Sequence, residues 1–482
     1  MGSRKKVLLI NTNTVQSPYP VPPLGICLLA EALKGRYEVL VFDGVFGKTD
    51  HLGATVADFS PDYVGMGIRN IDNPVMRQPE FYLDGIVENF AKPLRELTNA
   101  PLILGGSGYS LFPRILLDEL GADYGVVGEG EKTFLQLLTA LDEGGTADGI
   151  PGVLVARGRD FSNERADFLA PANIPFSNID KWVDFSKYRA RSSYPIQTKR
   201  GCHHRCVYCT YPTIEGAHCR MRSPKSIVDE IGNAISRLGD VTFEFVDSVF
   251  NDPPGHAEEL CRELIRRSLG VRLRTMGINP RGATSKLFEL MKEAGFSQID
   301  CTPDSACPRV IEALGKGFTK KVLIEAARGI KQSGLPTMWF FLFGGPGETE
   351  DSLGETLDFI DEMVDENDLV YLAAGLRIYP GTSLHQKALN ENVVKSTDSL
   401  LVPQFYVSQG IGPDRLYELI VRACSTRANC IPAWESTPSE EIRKRAMQLR
   451  AELNLDEPMF RSFLRARREL LGSNPRGIPR NM

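Results

Sequence analysis

Short apolar runs, each followed by a polar or glycine-containing turn, set the rhythm of the first 130 residues: Val7–Ile10, Val39–Phe42, Tyr63–Ile68, Leu102–Leu104 and Tyr124–Val127. Runs of this length, spaced by amphipathic stretches, predict parallel strands alternating with helices in a doubly wound sheet. Turns follow at Asp43-Gly44, Arg69-Asn70, Gly105-Gly106-Ser107-Gly108 and Gly128-Glu129-Gly130-Glu131. Such carboxyl edges are where these sheets hold ligands. No G-x-G-x-x-G opens the first helix, which disfavours a dinucleotide. Periodicity fades over 151–190, where Pro151, Pro171 and Pro175 mark a linker between a first domain at 1–150 and a second alternating block at 191–400.

The second block predicts strands at Ile196–Lys199, Thr242–Val246, Val271–Met276, Gln298–Cys301, Thr337–Phe343 and Tyr371–Ile378, interleaved with helices as in a partial (β/α)6 barrel. Ser223-Pro224 and Thr319 supply helix starts, and Gly295 and Gly334 follow last turns. Residues 401–482 read as a charged helical cap, expected to close the barrel mouth and to end in a Pro/Gly/Arg-rich tail. The fold class is therefore α/β throughout.

Composition removes several function classes. With 56 Lys plus Arg against 61 Asp plus Glu, both signs spread along 482 residues, there is no footprint for nucleic acid or an anionic membrane. No apolar stretch approaches the roughly 20 residues of a spanning helix, the densest being Trp339–Phe343, read as core. Arg4-Lys5-Lys6 leads into only four apolar residues before Asn11, which predicts a buried strand rather than a secretory leader. Ten mostly scattered cysteines fit a reducing, cytoplasmic setting.

Three of those cysteines carry the chemistry. Cys202, Cys206 and Cys209 fall within eight residues of Lys199-Arg200-Gly201-Cys202-His203-His204-Arg205-Cys206-Val207-Tyr208-Cys209, directly after a predicted strand. Three thiolates can hold three irons of a cubane and leave the fourth open. A zinc site would need a fourth ligand, which His203, His204, His218 or Cys219 could supply, and a non-catalytic zinc or iron–sulfur protein is the alternative from another class.

The C-x3-C-x2-C spacing, with Tyr208 before its last cysteine, resembles the radical S-adenosylmethionine (radical SAM) superfamily. The resemblance implies a [4Fe–4S] cluster on Cys202, Cys206 and Cys209. It also implies S-adenosyl-L-methionine (SAM) chelated at the open iron and cleaved by one electron to a 5′-deoxyadenosyl radical. It assigns SAM contacts to Tyr208; to Asp247 and Ser248 near the methionine amine; to Asp304 and Ser305, where relatives often carry Glu-Ser; to Gly345 and Glu348; and to Arg377 beside the adenine. The front domain resembles the cobalamin-binding domain placed ahead of such barrels. Pro23-Leu24-Gly25, Pro61-Asp62-Tyr63-Val64-Gly65, Gly105-Gly106-Ser107 and the Gly128–Glu131 turn carry that resemblance. It implies cobalamin contacts at Arg69, Asn70, Gly105, Gly106, Ser107, Gly128 and Glu129.

The loop 11–23 has no Asp-x-His-x-x-Gly, so no histidine is offered as a lower cobalt ligand. Arg69 either faces the cobalt from below or pairs with Asp72 or the corrin amides. Together the resemblances identify a class B-like radical SAM methyltransferase, acting on carbon of a small metabolite or natural-product precursor. They imply reduction by a donor such as flavodoxin or ferredoxin. A radical rearrangement or cyclisation, with or without help from cobalamin, is the alternative within the same architecture.

Overall fold

Apart from the half-covered edge run Val39–Phe42, the apolar runs of the front half are strands whose side chains are covered on both faces, which leaves no polar alternation. In the computed structural model, which describes residues 4–47, 49–147, 149–156 and 166–473, these runs form β1 (Lys6–Asn11), β2 (Glu38–Asp43), β3 (Tyr63–Gly67), β4 (Leu102–Gly105) and β5 (Tyr124–Val126). They lie parallel in the order β2-β1-β3-β4-β5, and β6 (Val153–Val155) adds antiparallel to β5. Val7, Leu9 and Ile103 meet helices 24–33 and 130–142 on one face, while Leu8, Ile10 and Leu104 meet helices 49–59, 92–97 and 113–119 on the other. The short β6, inside the expected linker, gives no periodic signal. The expected tail, from 474, lies outside the described residues.

The second unit contains β7 (Tyr194–Ile196), β8 (Lys199–Arg200), β9 (Arg220–Met221), β10 (Thr242–Phe245), β11 (Arg272–Ile278), β12 (Phe296–Asp304), β13 (Thr337–Phe343), β14 (Leu369–Ala374), β15 (Leu376–Arg377), β16 (Phe405–Tyr406) and β17 (Cys430–Pro432). Seven of these form one parallel sheet, β7-β10-β11-β12-β13-β14-β17. Six strands were expected; the seventh, β17, comes from the region read as helical. The expected strand Ile196–Lys199 splits into β7 and β8 because Asp247 takes the Thr198 and Lys199 amides at 2.7 and 3.2 Å. Tyr371–Ile378 breaks at Gly375 (φ +71°), where Met76 of the front domain fills the space a Cβ would need.

The two units are locked by buried polar clasps. Arg377 reaches Asp72 at 2.9 and 3.0 Å and donates to the carbonyls of Ile378, Leu400 and Leu401. Arg200 reaches Glu131 at 2.5 Å and Glu129 at 3.6 Å, and Arg220 pairs with Glu129. Tyr188 donates to Asp43 at 2.6 Å and Trp182 to Glu31 at 2.9 Å. Between these clasps Ile68, Leu104 and Tyr109 share an apolar cluster with Val310, Leu314 and Ile378.

The carboxyl edge of the front sheet therefore covers the barrel mouth. The C-terminal helices Glu440–Leu453 and Met459–Ser473 were expected to close that mouth. Instead Phe460 and Leu464 pack on Met338 and Leu369, at the opposite, amino ends of β13 and β14. Among the described residues no helix is long and apolar enough to cross a membrane.

Removing Arg377 strands Asp72 in a dry interface. Arg377→Ala is expected to lower the unfolding free energy by about 3–5 kcal/mol, against under about 1 kcal/mol for Arg262→Ala, which breaks an exposed helix pair. Urea titration followed by circular dichroism reads both, and equal losses would contradict the clasp.

Candidate active site

The cysteine loop is shaped at both ends. Its base is the antiparallel pair β8/β9, where Arg200 lies opposite Arg220. Gly201 sits at φ +87° with the His218 carbonyl where a Cβ would go, so a side chain is excluded there. The Gly201 amide donates to Glu215 at 3.1 Å and the Cys202 amide to the Gly216 carbonyl at 3.0 Å. The far end is gripped by the Val207 amide on the Leu314 carbonyl, 3.0 Å, and the Leu384 amide on the Val207 carbonyl, 2.8 Å. The Cys209 amide turns back onto the Cys206 carbonyl at 3.1 Å.

None of the three cysteines is engaged in a disulfide. Burial pushes each of them up, Cys209 to about 12; the His204 amide and the Ser248 hydroxyl oppose this at Cys202 by stabilising its thiolate. Desolvated thiols of this kind ionise when a cation arrives, releasing protons as the metal binds.

The spacing argues for a cluster rather than a single ion. Among the described residues, His203, His204 and Asp252 form the one group of three whose ligand atoms all lie within 4.8 Å of one another. The cysteine triplet is not such a group, whereas a tetrahedral zinc would draw its sulfurs to about 3.8 Å. The two histidines are committed to Asp252, at 3.0 and 2.8 Å.

A buried lysine stands behind the loop. Lys316, 4% exposed, pairs with Asp304 at 2.8 Å, and Tyr208 donates to the same carboxylate oxygen. Burial works against the ammonium, but Asp304 and the sulfurs of Cys206 and Cys209 more than offset it and hold its pKa above the ordinary value. Sequence reasoning missed this residue. The available signal was a lysine between Gly315 and Gly317, after the fourth-strand segment; Gly315 packs against the Arg205 carbonyl.

Several expected SAM contacts are occupied otherwise. Asp247 is buried and accepts from the Thr198 amide and hydroxyl and from Lys199, so it anchors the strand that feeds the cysteine loop. Ser305 is fully buried against Thr356 and the Cys307 amide. Glu348 is fully buried beside Ser352, just before the helix that Thr349 caps, and burial lifts its carboxyl to about 7. The Arg377 guanidinium is spent on the interdomain clasp. Tyr208, Asp304 and Ser248 do gather at the loop, and Gly345 packs against Leu314.

At the front sheet, Gly106 (φ +100°) and Gly108 bring β4's exit against the Ile68 and Arg69 carbonyls, and Ser107 donates to Arg69 O at 2.8 Å. Arg69 and Asn70 are exposed there. Among the described residues the Arg69 side chain has no ion pair; Asp72 is taken by Arg377, so the expected Arg69–Asp72 alternative is not realised. The Glu129 carboxylate pairs with Arg220 and accepts from the Leu169 amide, and the Gly128 amide donates to Ser110. Gly105 ends β4, and Tyr211, on the short helix after the cysteines, feels the Arg69 charge. A glycine-lined backbone edge, a guanidinium without an ion pair among the described residues and a loop 11–23 that carries no histidine fit a corrin held without a histidine from that loop.

Tyr208 of the cysteine loop, the barrel face and the C-terminal helices line one cavity of about 2060 Å³, roughly twice an ordinary small-molecule pocket. Tyr208, Asp304, Tyr19, Pro74, Asp300, Phe340 and Tyr371 are among the residues that line it.

Replacing Cys202, Cys206 or Cys209 by alanine is expected to reduce iron and sulfide after anaerobic reconstitution to trace levels. Cys219→Ala is expected to keep four irons per chain. Lys316→Met is expected to lower the cluster potential by tens of millivolts, the scale of one nearby charge at an effective dielectric of about 20. Iron analysis and EPR-monitored titration check both.

Comparison with known proteins agrees with this geometry. Residues 196–360 match the radical SAM superfamily model and residues 10–138 the B12 binding domain model. The chain is 28% identical over 442 residues to the tryptophan 2-C-methyltransferase of Streptomyces laurentii, covering 78% of this chain and 73% of that protein. It is 27% identical over 382 residues to an uncharacterised methyltransferase of Pyrococcus horikoshii, covering 77% and 80%. The radical SAM methyltransferase TsrM of Kitasatospora setae, solved with tryptophan and a SAM analogue, superposes with a TM-score of 0.80 at 24% identity, over 98% of this chain and 99% of that one. Radical SAM and B12-binding domains are thus both present, and the chain belongs to the cobalamin-binding branch of the radical SAM superfamily of enzymes.

Proposed function

We infer that this enzyme transfers a methyl group to a carbon atom of a small metabolite or natural-product precursor. The observation that carries the reading is the joining of the two domains by buried ion pairs, which clasp the carboxyl edge of the B12-binding sheet to the base of the cysteine loop and to the barrel mouth, beside a cavity that Tyr208 and Tyr19 both line. When bound, the cluster with SAM supplies one-electron and radical chemistry, and cobalamin supplies methyl transfer.

The chain's own residues position and insulate. Cys202, Cys206 and Cys209 are the cluster ligands. Ser248 and the His204 amide steady the Cys202 sulfur, and Lys316 balances the charge gathered by Asp304, Cys206 and Cys209. Tyr208, Asp304, Ser248 and Gly345 remain as the SAM-facing candidates, and Arg69, Asn70, Gly105, Gly106, Ser107 and Gly128 as the cobalamin-facing ones. Were Arg69 to face the bound cobalamin, its charged guanidinium would offer no lone pair as a ligand. An acidic carrier such as flavodoxin or ferredoxin is the proposed electron donor, approaching where His203 and Arg205 expose the cysteine loop.

The test is anaerobic turnover of the reconstituted, cobalamin-loaded protein with deuteromethyl-SAM, a low-potential reductant and a panel of indoles and aromatic amines, read by mass spectrometry. Label is expected on a substrate carbon. Deoxyadenosine release with no labelled product from any accepted substrate would favour a rearrangement or cyclisation instead.

A further inference from the structure

The barrel face of the cavity has two unlike walls, and neither is explained by the cluster, SAM or cobalamin. In β13 the burial alternates, so Trp339, Phe341 and Phe343 point at the helices and Met338, Phe340 and Leu342 point inward. Phe340 lies opposite Tyr371 of β14, and their rings stack at 5.2 Å with 16° between planes. Both rings line the cavity, Tyr371 also packing on Phe460 and Leu464, so the pair is an aromatic lining of the lumen.

The neighbouring wall is polar. Glu244 of β10 and Arg274 of β11 pair at 2.7 Å, and Tyr19, from the front domain, lies 5.3 Å from the Arg274 guanidinium. Asp300 of β12 lines the same space, and its one hydrogen bond among the described residues comes from Gln298, at 3.0 Å to Oδ1. The neighbouring acid is already neutralised by Arg274, so Asp300 is the carboxylate of this wall without a cationic partner. Burial, aided by the Glu244 charge, lifts its pKa to about 7.

An acid left short of a cation beside an aromatic lining describes a ligand. We propose that Asp300 and the Phe340–Tyr371 pair select the substrate, and that the substrate is an aromatic amine whose ring stacks on the pair while its ammonium or N–H donates to Asp300. This rests on the methyltransferase reading for the identity of the site, but it concerns binding alone. Asp300 faces Glu244, Arg274, Tyr19 and Tyr371; Arg274 is held charged and the two tyrosines are held neutral by burial, so Asp300 is the group expected to change charge near neutrality. Below about pH 7 it is protonated and above it ionised, so affinity for an ammonium rises with pH.

Calorimetry on the reconstituted holoenzyme without reductant separates this from turnover. The probes are tryptamine, 3-ethylindole, which lacks the ammonium, and cyclohexylethylamine, which lacks the aromatic plane. Wild type is expected to bind tryptamine at least about tenfold tighter than either, with affinity increasing from about pH 6 to about pH 8. Asp300→Asn is expected to abolish the preference over 3-ethylindole and the pH dependence, and Asp300→Glu to restore both. Phe340→Leu is expected to abolish the preference over cyclohexylethylamine. Equal binding of all three probes by wild type, or an unchanged preference in Asp300→Asn that retains its cluster absorbance, would overturn the proposal. Absence of methylated product in the turnover assay leaves these affinities untouched and bears on the reaction alone.

Discussion

Everything at the centre of this protein depends on burying charges between two sheets in matched pairs. Glu129 and Glu131 leave the front sheet on one turn and meet Arg200 and Arg220, which stand opposite one another on the two-stranded ribbon at the base of the cysteine loop. Asp72 meets Arg377 at the far side of the mouth. Such pairs add little net stability over apolar packing, because desolvation consumes most of the Coulomb gain. A shifted docking, however, would strand several charges in a dry interface at a cost of several kcal/mol. The pairs therefore act mainly as selectors of one relative placement, and that placement joins the B12-binding edge to the cysteine loop.

This explains why some motif residues are engaged by protein partners across the interface. The Gly128–Glu131 turn looks like a cofactor cradle in sequence because glycines and acids at a strand end serve cradles and clasps alike. A strand-end arginine such as Arg377 is equally ambiguous. The deciding fact is the partner, and Asp72 lies 305 residues away. Lys316 shows the converse. Its surroundings in sequence are unremarkable, and its importance comes from being buried at 4% exposure against an acid and two cysteine sulfurs.

The legible parts were those with local causes. Strand runs buried on both faces, helix caps such as Ser223 and Thr319, the left-handed Gly295 and Gly334, and the cysteine spacing all state their structure within a few residues. Three-residue strands such as β6 and β17 carry too few positions for a period, and each forms only because a neighbour offers an open edge. The side that the C-terminal helices cover was hidden for a similar reason. Phe460 and Leu464 are apolar on any reading, and only the exposed amino ends of β13 and β14 decide where they go.

The aromatic stretch Trp339–Phe343 shows how far local reading reaches. Five apolar residues in a row read as core because nothing in the run distinguishes its faces. In a sheet with helices on one side and a cavity on the other, period-two alternation divides the run anyway. One set of rings is buried against Phe359 on the helix Glu350–Met363, and Phe340 is left to stack with Tyr371 in the cavity. The same alternation on β10, β11 and β12 turns Glu244, Arg274 and Asp300 inward. A charged residue inside an otherwise apolar strand costs stability unless it is paired. Glu244 and Arg274 meet that condition with each other, and Asp300 meets it only in part. The imbalance is a property of the lumen as a whole, built from three strands and a front-domain tyrosine, and a single strand read alone does not contain it.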